Sequence, residues 1–447
     1  MRRHAILLGL LALSQPLVAA DLLQTYREAR ANDPVYASAR ASLEAGKEKL
    51  PQGLALLLPT IDASGNTAWN DSPIAFRHTT AAGPFPPFPR QYNTNSWGVS
   101  LNQPLFRMQN WLQYKQAEFQ VAQAAASFGQ AAQDLIVRVA QAYFDVLVSQ
   151  DNLAFIQAQK TAISEQLAQA MGNFRLGTAT MTDTHEAQAR FDLAISQEIA
   201  AHSDLKIKQS ALQQIIGHFP DGITPLRAAT ELNPPQPEAM EPWVETSEAS
   251  NFSVQIQEAA LEIANREVQS AWAGHLPTLD LVGSYGESAA GVIQTNSANL
   301  GYDIRGGTVG VHLALPLYAG GSIESRVRAA AANREKARQD LESARRSAAL
   351  SARQAYLIVT NGMAQVRALR QALASSQNSL DSNRFGYKMG VRINIDVLNA
   401  QQQLFSTKRD LSRARYDTLL NGFKLKAAAG TLSEDDLVAV NRLLGTD

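Results

Sequence analysis

The sequence predicts an α+β protein built as two tandem copies of one unit, each with a pair of long β-strands and a long antiparallel helical hairpin. Three observations carry this. One offset along the chain aligns Gly390 with Gly177, Asp396 with Asp183, Tyr356 with Tyr143 and Gly430 with Gly217. Each half holds two stretches of alternating apolar and polar residues, the period of a strand with one apolar face. Each half then holds a long proline-free run, Leu105 to Phe219 and Leu317 to the C-terminus, with apolar residues at three- and four-residue spacing.

The 447 residues carry a net charge of −1 and no cysteine. Disulfides, thiolate metal sites, a cysteine nucleophile and a lipidated N-terminal cysteine are thereby excluded. No basic block suggests nucleic acid. Residues 1–20 read as an export signal: Arg2 and Arg3, an apolar stretch from Ala5 to Leu13, and Val18-Ala19-Ala20 before the expected cleavage.

The first repeat is expected over 21–217. Asn32-Asp33-Pro34 opens its first helix, with Asp33 as cap and Pro34 in the first helical position, and Pro51 is expected to end or kink it. Leu58-Pro59-Thr60 leads into strands expected at about 59–70 and 96–104. They flank a loop containing Pro84-Phe85-Pro86-Pro87-Phe88-Pro89, and the second ends at Pro104. The helical hairpin follows at about 107–217; its first arm, about 107–174, would be roughly 100 Å long at about 1.5 Å per residue. A proline-rich connector occupies 218–250. The second repeat, 251–430, copies the plan. A helix runs to Leu276-Pro277-Thr278, strands follow at about 277–287 and 308–316, and a hairpin at about 320–430. Residues 431–447 form a short helical end segment.

Strands of about ten alternating residues have the length of membrane-spanning β-strands. Trp69, Trp97, Phe106, Tyr285 and Tyr318 lie near their ends, where interfacial aromatics belong. Four strands cannot close a barrel and an open edge cannot sit in lipid, so several copies must combine. The alternatives read from this pattern are a conducting tube and an outer-membrane-anchored coiled-coil spacer or adhesin without conductance.

Catalytic signatures are missing. His185-Glu186 has Ala189 where a zinc-protease helix needs a second histidine. Neither Gly306-Gly307 nor Gly320-Gly321 leads into a phosphate loop. The first pair is expected just before a strand and the second at a strand-to-helix junction. No cofactor and no enzymatic activity are expected.

The words Gly386-Tyr387-Lys388-Met389-Gly390, Asn394-Ile395-Asp396-Val397-Leu398-Asn399-Ala400, Ala414-Arg415-Tyr416 and Ala428-Ala429-Gly430-Thr431-Leu432 give the chain a family look. Together with Asn32-Asp33-Pro34 and the duplicated plan, they resemble the TolC family of outer-membrane efflux and secretion channels, in its type I secretion branch. The resemblance implies a homotrimer in the outer membrane of a Gram-negative cell. A twelve-stranded β-barrel in lipid would continue into a twelve-helix tunnel in the periplasm. It also implies a tip closed at rest, opened by a periplasmic adaptor (membrane fusion) protein and an inner-membrane transporter of ABC or RND type. Residue by residue, Tyr387 and Arg392 match the family's inner-hairpin gate residues, and Thr182 and Asp183 their partners. Asp396 matches a carboxylate of the constriction, and Asn399 stands where a second acid is expected, so weaker cation selectivity and weaker polyvalent-cation block are implied. The turns Leu176-Gly177-Thr178 and Met389-Gly390-Val391 match adaptor-docking tips.

Overall fold

The computed structural model describes residues 20–72, 91–220, 222–227, 230–294 and 299–445. The export signal and the proline-rich loop at 84–89 fall outside them. In chain order the elements are α1 (Leu22–Asn32), α2 (Pro34–Lys47), α3 (Lys49–Ala55), β1 (Thr60–Asp71), β2 (Gln91–Phe106), α4 (Met108–Arg175) and α5 (Met181–Ile216). There follow α6 (Glu241–Ser250), α7 (Phe252–Trp272), β3 (Thr278–Gln294), β4 (Asn299–Ala314), α8 (Ser322–Lys388), α9 (Asn394–Ala428) and α10 (Glu434–Asn441). They fall into two units. One is drawn from Leu43–Ala125 and Ile256–Glu342, the other from the described residues within Met1–Ser42, Ala126–Gln255 and Ser343–Asp447.

The first of these units holds one antiparallel sheet in the order β1-β2-β3-β4, so the two repeats join where β2 pairs β3. Register places Ile61, Leu101, Gly283 and Val309 in one row and Gly65, Trp97, Glu287 and Arg305 in another. Side chains alternate across a pleated strand, so these rows share a face. That face is apolar near the start of β3, where Leu279, Leu281, Val309, Val311 and Leu313 stand; Val309 is 84% exposed. The opposite face is mostly small and polar, with Val282, Tyr302 and Ile304 among the exceptions: the Ser284 and Thr308 hydroxyls bond at 2.8 Å, and Thr94 and Asn70 at 3.2 Å. One apolar and one polar face, with β1 and β4 as edges, is the pattern of a segment of membrane barrel.

Several sequence expectations change here. β2 does not end at Pro104 but continues to Phe106, because the ladder shifts register between Pro104 and Phe106 and the missing N–H falls at that irregularity. β2 also starts earlier, at Gln91, and β3 runs on to Gln294; there the face that was apolar turns polar and the alternation fades. Gly306-Gly307 lies inside β4 rather than before it, and Gly307 leaves room for the ring of Tyr285, which a Cβ would meet at 3.2 Å. At the foot of the sheet Arg107 donates from Nε and Nη2 to both oxygens of buried Asp280, at 2.8 and 2.7 Å, fastening the end of β2 to β3. Pro51 sits in the first turn of α3, after a break at Glu48, where its missing N–H costs nothing.

The other unit is helical. Its core packs Leu22 and Tyr26 of α1 with Leu135, Val139, Tyr143 and Leu147 of α4, Leu212 and Ile216 of α5, Phe423 of α9 and Leu437 of α10. The duplication is visible in its polar contacts. Tyr143 donates to the Thr224 carbonyl at 2.7 Å and its repeat counterpart Tyr356 donates to the Glu238 carbonyl, so each copy pins the connector. Asn32 donates to the Ile216 carbonyl at 2.9 Å and Asn251 to the Ala428 carbonyl at 2.8 Å, closing the end of each hairpin. Just beyond those ends Gly217 and Gly430 have φ of 87° and 74°, the left-handed cap that releases a helix.

Asp33 caps α2 by accepting from the Tyr36 N–H at 2.8 Å and receives both terminal nitrogens of Arg138, at 3.3 and 2.8 Å. Burial raises its pKa, but the Arg138 guanidinium and the backbone bonds outweigh it and hold the carboxyl below the usual carboxylate range. Asp151 lies the other way: burial pushes its carboxyl up, against hydrogen bonds from Ser412 and Tyr416. Among the described residues no helix is long and apolar enough to cross a membrane.

Candidate functional site: the paired hairpin tips

The two tips are built alike. In the first, Gly177 donates to the Phe174 carbonyl at 3.0 Å and Thr178 to the Asn173 carbonyl at 2.9 Å. In the second, Gly390 donates to the Tyr387 carbonyl at 3.1 Å and Val391 to the Gly386 carbonyl at 2.9 Å. This nested pair of bonds closes a helix end, and it requires the left-handed residue that Gly177 and Gly390 supply, both at φ 74°. The apolar neighbours stay outside: Leu176 and Val391 are each 79% exposed, and Met181, Phe385, Met389 and Ile393 are exposed too.

After the turns the copies diverge, and one residue explains it. Thr180 precedes α5 and forms a capping box. Its hydroxyl donates to Asp183 Oδ2 at 2.7 Å and accepts from the Asp183 N–H at 3.2 Å; the Thr180 N–H also donates to Oδ2, at 2.9 Å. The corresponding residue before α9 is Ile393, which has no hydroxyl and makes no side-chain cap. Asp396, the counterpart of Asp183, pairs instead with Arg392 at 3.7 Å across one helical turn. Thr182 is exposed beside the box.

Bonds between hairpins hold the tips together. Asn173 donates to the Tyr387 hydroxyl at 3.3 Å. Asn394, 1% exposed, accepts from the Gln166 amide and donates to the Asp183 carbonyl at 3.2 Å. Arg190 donates to the Gln402 amide oxygen and, at 3.1 Å, to that of Asn399. Beneath them Leu398 of α9 packs with Ile163, Leu167 and Ala170 of α4 and Ala187 and Ala194 of α5. Thus Tyr387 meets Asn173, Arg392 meets Asp396 and Asp183 meets Thr180 within one chain, while Asn399 meets Arg190. Asn394 and Arg190 were not singled out from the sequence. The Thr180-x-x-Asp183 spacing was a legible capping signal. Among the described residues no group of His, Cys, Asp and Glu side chains is arranged to hold a metal ion.

The sequence matches the outer membrane efflux protein family over residues 25–218 and 243–431, one segment per repeat. It belongs to that family. Outer membrane protein TolC of Vibrio cholerae is 32% identical over 431 residues, 96% of this chain and 95% of that protein. Alkaline protease secretion protein AprF of Pseudomonas aeruginosa is 33% identical over 98% of this chain and 90% of its own. Among solved structures, the Campylobacter jejuni CmeC outer membrane channel superposes with a TM-score of 0.77 at 16% identity, covering 95% of this chain and 89% of that one. VceC of Vibrio cholerae gives 0.73 at 19%, covering 92% and 96%. As a TolC-like member of the efflux family the protein is an outer-membrane channel protein. Its four strands are barrel strands and its long hairpins belong to a periplasmic tunnel.

Proposed function

We propose that the protein is a passive exit duct for type I protein secretion, multidrug efflux or both. Three copies close their sheets into a twelve-stranded barrel and their hairpins into a helical tunnel. A periplasmic adaptor and an ABC- or RND-type inner-membrane transporter open its periplasmic end. The observation that carries this reading is the tip. Two turns of identical hydrogen bonding sit side by side, rimmed with exposed Leu176, Met389 and Val391, which offer a partner protein an apolar patch. Arg392, Tyr387, Thr182 and Asp183 lie at that end with exposed or half-buried side chains, and in this reading they bond a neighbouring copy and hold the end shut. Asp396 and Asn399 line the constriction in this reading.

The relatives support the secretion side: AprF and the proteases secretion protein PrtF of Dickeya chrysanthemi, 30% identical over 98% of this chain, are both named for protease export. The test is single-channel conductance of the purified protein in a planar bilayer, wild type beside a variant carrying Tyr387→Phe and Arg392→Ser. A small wild-type conductance that rises strongly in the variant is expected. Equal, large conductance in both would discard the gate and keep the pore. No conductance in either would replace the duct by a spacer.

A further inference from the structure

Arg190 stands on α5, yet its guanidinium reaches α9 of the other hairpin, donating from Nη1 to Gln402 and from Nη2 to Asn399. Both acceptors are neutral amides, so neither cancels the charge they hold in place. Asn399 and Gln402 are three residues apart and exposed, while Val397, Leu398, Ala400 and Gln401 between and around them are buried. Asn399 therefore lies one turn along the helix from Asp396, and Gln402 one turn beyond Asn399. The result is a fixed positive charge about one turn beyond Asp396, at the level where the family resemblance implies a second carboxylate. Arginine suits the position because its planar fork serves two acceptors at once, which a lysine ammonium does with less geometric constraint.

We propose that Arg190 is a charge-selectivity residue of the constriction. By bridging onto Asn399 and Gln402 it sets one guanidinium per chain next to the Asp396 carboxylates, weakening the preference for cations and denying polyvalent cations a site. The proposal rests on the duct reading above, because only a pore lined by this face feels the charge.

The experiment measures reversal potentials in a KCl gradient, together with block by a trivalent hexammine cation, for the wild type and four variants: Arg190→Gln, Arg190→Lys, Asn399→Asp, and Asn399→Asp combined with Arg190→Gln. Circular dichroism confirms that each is folded. Arg190→Gln is expected to raise the K⁺/Cl⁻ permeability ratio about three- to tenfold, whereas Arg190→Lys stays within about twofold of wild type. Asn399→Asp alone changes little, because the new carboxylate is paired by Arg190. The double variant is the most cation-selective and is the one blocked tightly. A permeability ratio unchanged by Arg190→Gln, or an Asn399→Asp single variant as selective and as tightly blocked as the double, overturns the proposal while leaving a working pore. Loss of the duct reading shows differently, as no conductance in any folded form, and takes the proposal with it.

Discussion

Asn394→Ala is the substitution expected to loosen the tip most. Asn394 is 1% exposed and works in both directions, accepting from Gln166 and donating to the Asp183 carbonyl. Alanine removes both bonds and adds no group to satisfy either partner. A buried polar group deprived of its partner costs about 1–3 kcal/mol. The Gln166 amide is itself buried and bears that cost in full. The Asp183 carbonyl, in the first turn of α5, retains its place in the helix ladder and bears less. The total is about 2–3 kcal/mol, or about 30- to 150-fold in the equilibrium between joined and parted hairpins.

The assay is the fraction of time a single channel in a planar bilayer spends in its high-conductance state, with far-UV circular dichroism to confirm that the helices remain. A rise of at least tenfold in that fraction is expected. A variant that keeps the wild-type fraction and the wild-type melting temperature would refute the reasoning, since both bonds would then be dispensable.

Two further outcomes concern the body of the protein. Asp33 has a folded pKa below its ordinary value, so its contribution is fully present above the ordinary value and is lost as pH falls through the lower folded pKa. Asp33→Asn should cost about 2 kcal/mol near neutral pH, less than a fully buried pair because Arg138 keeps Asp134 at 2.9 Å and is partly exposed; urea-unfolding midpoints should differ at pH 7 and draw together only as pH falls below the ordinary aspartate range. Gly430→Ala should destabilise by about 3 kcal/mol, because a Cβ would lie 2.2 Å from the Ser250 carbonyl oxygen at a φ of 74°. Gly217→Ala, whose nearest atom would be Asn32 Cβ at 3.3 Å, should cost only the backbone strain of about 1 kcal/mol, and equal thermal shifts for the two would show that the clash is relieved.

What was legible in the sequence was whatever repeats or alternates. The duplication, the Leu-Pro-Thr turns before β1 and β3 and the two tip glycines all announce themselves by period or by backbone demand. The upper parts of β2 and β3 did not, because residues such as Asn93, Asn95 and Ser288 leave no apolar face to contrast with a polar one. Asn394 and Arg190 were invisible for a different reason. A single amide or guanidinium on a helix has no periodic signature, and their roles come from partners such as Gln166 and Asn399, more than two hundred residues away. The sequence also treats Asp183 and Asp396 as equivalents. The hydroxyl of Thr180 separates them, by engaging one carboxylate in a cap and leaving the other, behind Ile393, for Arg392.

In the proposed duct, that separation bears on how a tip is both shut and openable. Within a chain the Arg392–Asp396 pair is a one-turn contact at 3.7 Å between partly exposed groups. Pairs of this kind contribute about 0.3–0.5 kcal/mol. In the proposed trimer Arg392 would therefore give up little in exchanging Asp396 for an acceptor on a neighbouring copy, and little again in returning. Asn394 and Leu398, buried between hairpins, cannot exchange so cheaply, because each would expose a polar or apolar group with nothing to replace its partner. In the proposed duct these low-cost contacts are the ones a partner protein breaks first. The costly ones lie between α9 and the first hairpin, where they join the two hairpins of each chain. An opening that leaves the Gln166–Asn394 bond intact would then proceed by whole hairpin pairs sliding past their neighbours. An opening that breaks it would uncoil the pairs. Asn394→Ala lowers the cost of the second route, so the rise expected in its open fraction is the signature of hairpins that part.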